Sequence, residues 1–168
     1  MSLLSRRRAS RKSTTLQSTQ HFLSQDATLQ ALDSLLATFF DVIGKLFYIA
    51  EKDEVKSTVE SLRASGHDGI PLADLVTHSR SVHLRTQVSE LAGMASIAVA
   101  HAQLIGCITS PPIELADHLY TIARYGLDSA LQYDPLRAMK VAALLSMYNI
   151  VVHATVALTY AGAQSPRY

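Results

Sequence analysis

Seven apolar side chains fall at alternating steps of three and four along one stretch: Leu29, Leu32, Leu36, Phe39, Ile43, Leu46 and Ala50. Such spacing stacks every one of them on a single helical face. Charge then begins abruptly, with Glu51, Lys52, Asp53, Glu54 and Lys56. A helix with an apolar face and a charged mouth suits a molecule with an apolar body and a polar head. It suits equally a buried helix with a solvated end.

The rest of the chain repeats the helical pattern. Asp26 is placed to cap a helix that runs to about Ser65, with Gly66 as its left-handed stop. Gly44 interrupts this run and marks a bend. A second helical region is expected over residues 71–109, with Leu84, Val88, Leu91, Ala95, Ala98, Ala102 and Ile105 in one stripe. Ser110-Pro111-Pro112 breaks it, and a third helix is expected over 113–132. Asp134-Pro135 repeats the cap-plus-proline signal ahead of a helix over 135–161 that Gly162 ends. No stretch alternates with period two. The expected fold class is therefore all-α, a multi-helix bundle.

With 168 residues the chain reads as a single helical domain over 26–168, preceded by a basic extension. Residues 1–25 carry Arg6, Arg7, Arg8, Arg11 and Lys12 and no acid. Taking these five from the fifteen basic residues leaves ten against fourteen acids, so residues 26–168 carry −4. The body is mildly acidic, which argues against nucleic acid as a partner. The extension, rich in Ser, Thr and Arg, reads as disordered. It fits a transit peptide, a tether to an anionic membrane, or a kinase site at Arg6-Arg7-Arg8-Ala9-Ser10. The expected location is intracellular: cytoplasmic, or mitochondrial or plastid if the extension directs import. The lone Cys107 cannot form an internal disulfide, which fits a reducing compartment.

Apolar residues make up 48% of the chain and charged residues 17%. That low charge density leaves apolar surface to be covered, lined or placed in lipid. Residues 91–113 and 141–164 contain no Asp, Glu, Lys or Arg, and each has the length of a bilayer span. The first is mostly alanine and glycine. The second sets Ser146, Asn149, His153 and Tyr160 on one face.

Catalytic and metal signals are sparse. His78 and His83 are five apart, and His101, His118 and His153 fall on three different helices. There is no HExxH-type spacing, no phosphate-cradling glycine loop and no nucleophile elbow. No enzyme activity, metal or cofactor is expected. The constellation that remains is Asp53 with Lys56 on one helix face, and Arg80 with Arg85 at the start of the second helical region. Guanidinium groups pair with phosphate oxygens, and a carboxylate accepts from an amide or hydroxyl. Exposed salt bridges would use the same residues.

The pattern Phe40-x-x-x-Gly44-x-x-Phe47-x-x-Ala50-Glu51-x-Asp53-x-Val55, followed by Arg63-Ala64-Ser65, resembles the second-helix region of the glycolipid transfer protein family. It is most similar to the branch that carries ceramide 1-phosphate. Thr77-His78-Ser79-Arg80 is similar to that family's short basic stretch, and Ala142 to Tyr148 to its late helix. The resemblance implies a two-layer α sandwich holding a sphingolipid, ceramide 1-phosphate or a glycolipid, with no covalent chemistry. It implies a head-group site at Asp53, Lys56, Arg80 and Arg85. It further implies an apolar pocket from Phe39, Ile43, Leu46, Phe47, Val88 and Leu91. The chain departs from the family in several places. Ser57 stands where the family lysine falls, Leu84 stands four residues after Arg80, and there is no tryptophan. Asp134-Pro135 stands where the family histidine is expected. These departures leave two other readings open: a membrane-associated helical accessory subunit of an organellar complex, or a helical scaffold that no longer binds lipid. Expected partners are a lipid ligand, the face of an anionic membrane, and a protein complex under the accessory reading.

Overall fold

The computed structural model describes residues 28–107 and 111–163. The expected extension over 1–25 and the caps Asp26 and Ser110 lie outside the described residues. Within them the chain is all-α, with six α-helices and no strand. They are α1 (Leu29–Thr38), α2 (Lys52–Ala64), α3 (Leu72–His78), α4 (Val82–Leu104), α5 (Ile113–Tyr133) and α6 (Pro135–Ala163).

The opening stripe is buried as its spacing dictates as far as Ile43. Leu29, Leu32, Leu36, Phe39 and Ile43 are all at most 6% exposed. The single helix expected up to Ser65 is nevertheless two. After Thr38 the backbone widens into a π turn, Phe39–Ile43, closed by the Gly44 N–H donating to the Phe39 carbonyl at 2.8 Å. The helical run ends there, in a turn over residues 44–46, so the helical spacing no longer decides where the succeeding side chains point. Leu46 is 74% exposed and Phe47 54%, although Ala50 returns to the core. Gly44 fits closely there: a Cβ would lie 3.0 Å from the Phe40 ring and 3.1 Å from its Cα, so a larger residue would have to push that ring aside.

The chain re-enters a helix at Lys52, with Asp53 and Glu54 in the first turn of α2, where the helix dipole favours acids. Val55, Val59 and Leu62 turn inward. Gly66, at φ +81°, ends the run as expected. Its N–H donates to Arg63 and the His67 N–H to Leu62, a Schellman closure. Gly106 closes α4 in the same manner, at φ +68°, ahead of the boundary expected near residue 109.

The second helical region is also split. Ser79 and Ser81 are extended with a bend at Arg80 between them, and the Ser81 hydroxyl accepts from the Leu84 N–H at 3.2 Å to start α4. Every residue from 88 to 100 is buried. Helix α4 is therefore the axis of the bundle, packed by α1, α3, α5 and α6. Its small side chains allow close crossings. The Cβ of any side chain at Gly126 on α5 would overlap Ser89 Oγ and fall 2.8 Å from Ser89 Cβ. At Gly93 a Cβ would meet Leu144 of α6 at 3.3 Å. Ser89 donates to the Ala123 carbonyl at 2.9 Å, so its hydroxyl is not stranded by burial. Asp134 caps α6 through the Arg137 N–H at 3.1 Å, with Pro135 in the first turn, as the sequence predicts.

Candidate ligand groove and its charged surroundings

Helices α1 and α2 lie side by side and leave a groove between them. Its floor is Leu36, Ala37 and Phe40 from α1 and the turn after it, and Val55 and Val59 from α2. The accessible cavity is about 270 Å³. One end is closed by Arg63, which pairs with Asp33 at 2.6 Å and with Asp68 at 3.2 Å. Hydrogen bonding to Asp33 holds the Arg63 guanidinium still more firmly charged. The rim carries Lys52 and Lys56. Lys52 reaches Asp41 only at 3.9 Å and Lys56 reaches Glu60 only at 4.0 Å, and all four side chains are well exposed. Exposed pairs of this length contribute at most about 1 kcal/mol, so both ammonium groups can turn to a ligand anion.

Asp53 opens onto a neighbouring depression of about 370 Å³, lined also by Lys45, Tyr48, Ala50 and Glu51. Phe40 and Lys52 border both spaces. The structure thus brings Asp53 and Lys56 to adjoining hollows on the first turns of α2.

It does not bring the two arginines to them. Arg80 lines a separate hollow with Ser61, Ser65, His67 and His83, at the far end of α2. Eight residues separate Asp53 from Ser61, about 12 Å along a helix. Arg85 is half-buried, with its Nε enclosed and unpartnered and its carbonyl against Gly126. The four residues expected as one head-group site are therefore distributed over three places. Of the expected pocket residues, Phe39, Ile43, Val88 and Leu91 are core, while Leu46 and Phe47 stand exposed in the 44–51 connection. The α1–α2 groove is not among the spaces that the sequence reading named. Its legible signal is the apolar pair Val55 and Val59, four residues apart on the helix that faces the earlier stripe.

A charge cluster ties α2, α4 and α6 together behind this surface. Glu90 is 6% exposed and meets Arg137 Nε at 3.2 Å and Lys140 Nζ at 3.8 Å. Glu54 of α2 joins them, 3.5 Å from Lys140 and 3.9 Å from Arg137. Burial pushes the Glu90 carboxyl up from the usual carboxylate range, against the pull of the two cations. The role of this cluster is to fasten three helices. At the α5–α6 contact Tyr148 donates to Asp117 and lies 4.6 Å from the Tyr120 ring. Burial first, then the Asp117 carboxylate, raise the Tyr148 phenol.

Among the described residues no three His, Cys, Asp or Glu side chains stand close enough to hold a metal ion. The class these observations define is an all-α bundle with a surface groove between its first two helices. No protein-family profile, curated protein or solved structure matches the chain.

Proposed function

We propose that the protein is a non-catalytic lipid-binding protein that takes a lipid chain into the α1–α2 groove. The observation that carries this reading is the pairing of an apolar floor with two loosely held lysines, Lys52 and Lys56, at its rim. Binding sites for small molecules have this composition: mostly apolar walls with a few polar groups that orient the ligand. A cavity of about 270 Å³ suits one chain rather than the whole of a two-chain lipid. The rim favours an anionic head, with Asp53 placed one turn away to accept from an amide or hydroxyl. The resemblance of residues 39–65 to the glycolipid transfer protein family points to a sphingolipid, and the lysines favour ceramide 1-phosphate over a neutral glycolipid.

The test is transfer between vesicles, with mass spectrometry of lipid carried by the purified chain. Ala37 is exposed and borders the groove, so Ala37→Phe fills it without entering the core. We expect Ala37→Phe to remove binding at unchanged helicity. Lys56→Ala should weaken phosphate-bearing lipids more than neutral ones. Asp53→Ala should cost about tenfold to a hundredfold, the worth of a charged hydrogen bond of about 1.5–3 kcal/mol. A folded wild-type chain that neither carries nor transfers lipid would sink this reading and leave the scaffold and accessory-subunit readings.

A further inference from the structure

Helix α2 is seated differently from the other helices. Helices α1, α3, α5 and α6 each bring their backbones against α4, whereas α2 brings its backbone close to no other described element along its length. Of its thirteen residues only Val55, Val59 and Leu62 are buried. Hollows border both of its flanks. The groove of about 270 Å³ lies between it and Leu36, Ala37 and Phe40. A small gap lies on the other side, between Val55 and Thr58 of α2 and Gln87 and Leu91 of α4. A wider hollow lies between Ser61 and Ser65 and the start of α4. A segment with few buried apolar side chains and sparse neighbours belongs to the low end of a protein's local stabilities.

Both connections of α2 can absorb a change of backbone angle. In 44–51 Ala50 alone is buried. On the other side Gly66, already at φ +81°, and Gly69 have open space where a Cβ would stand. Hinges are built from a few loop residues of this kind. Charge holds α2 down at its two ends. Arg63, in the last turn, pairs with Asp33 of α1 at 2.6 Å and donates to the Leu29 carbonyl at 3.4 Å. Glu54, in the first turn, meets Lys140 of α6 at 3.5 Å. Asp33 is 55% exposed and Glu54 47%, so water competes for both links and each holds only weakly. Between the two ends, the three apolar side chains are what α2 buries in the bundle.

We propose that α2 is a lid. It lifts from α1 and α4 on the 44–51 and 65–71 connections while the other five helices stay packed. Its latches are Arg63 with Asp33 at one end and Glu54 with Lys140 at the other. Lifting joins the α1–α2 groove to the gap beside Leu91 and opens their apolar walls from the side. The use of the lid, entry of a lipid chain, rests on the function proposed above; the lifting itself does not.

The test is the rate at which a thiol placed under the lid reacts with dithionitrobenzoate in the folded, full-length chain. In a Cys107→Ser background, Val59→Cys sets the thiol on the covered face of α2, and Val141→Cys sets one in the core on α6, at 0% exposure. Val55→Cys replaces Val59→Cys if circular dichroism shows that variant unfolded. The lid thiol should react about a hundredfold faster than the core thiol, because it waits only for local opening. Arg63→Gln with Glu54→Gln should speed the lid thiol severalfold further and leave the core thiol unchanged. Equal rates for the two thiols would overturn the proposal, since α2 would then open only with the whole bundle. A fast lid thiol that ignores the latch variants would overturn the assignment of the latches. The assay contains no lipid. A lid that lifts in a chain carrying and transferring no ceramide 1-phosphate would sink the lipid reading and keep the lid, while lipid transfer with equal thiol rates would do the reverse.

Discussion

Glu90 shows how one residue couples packing to pH. Its carboxylate sits at 6% exposure among three helices, and burial raises its pKa despite Arg137 and Lys140. The unfolded chain therefore releases this proton at lower pH than the folded one. Glu90 thus contributes stability below its unfolded pKa, and that contribution is lost as pH rises through its folded pKa. Glu90→Gln keeps the shape and removes the titration. Glu54 and Asp134 remain beside Arg137, so the cation is not left alone. Melting temperature measured across the acid-to-neutral range should fall less steeply with rising pH for Glu90→Gln than for wild type. Parallel curves for the two proteins would show that Glu90 titrates as an ordinary surface acid. At this same scale Asp53 and Lys56 were legible as a neighbouring pair, three residues apart on one helix. Arg80 and Arg85 were not, because their distance from Asp53 is set by how α2 lies against α4.

At the scale of elements, the proline and glycine signals located most boundaries. Gly66 ends α2 and Pro135 opens α6, because each acts through local backbone geometry that no neighbour can override. The two breaks that the apolar stripes hide have subtler chemistry. The π turn depends on one extra backbone residue, and a stripe of apolar spacing does not register it. The start of α4 depends on the Ser81 side chain, which accepts from Leu84 at 3.2 Å. We expect Ser81→Ala to lower stability by about 1 kcal/mol, the usual worth of such a cap, in urea unfolding. Ser79→Ala should cost less, since the Ser79 hydroxyl accepts only from the Ser81 N–H outside the helix. Equal losses at the two serines would show that Ser81 is not the residue that sets the boundary.

For the whole molecule the deciding contact is the crossing of α4 and α5. A methyl group at Gly126 would overlap Ser89 Oγ and lie 3.0 Å from the Arg85 carbonyl. The backbone cannot yield there without moving one helix off the other. Gly126→Ala should therefore destabilise by about 2–3 kcal/mol, the upper part of the usual range for overpacking. The double variant Gly126→Ala with Ser89→Ala should recover part of the loss if the hydroxyl is the main obstacle. An unchanged melting temperature for the single variant would mean the helices are farther apart than described.

What the sequence by itself determined was local. Helical periodicity, the glycine and proline stops and the all-α class come from rules that act within one or two turns. The stripe Leu29 to Ile43 is buried because its period matches the helix. Tertiary packing decided which apolar faces were covered. Leu46 and Phe47 carry the spacing of core residues and stand in solvent, because the helix ends at the π turn before them. Val59 and Ala37 form a groove only because α1 and α2 lie side by side. Met139 and Ile150 stay exposed because α4 and α5 already fill the opposite side of α6. Hydrophobic burial is non-directional, so an apolar residue does not specify its neighbour. The choice of neighbour belongs to the geometry with which whole helices cross.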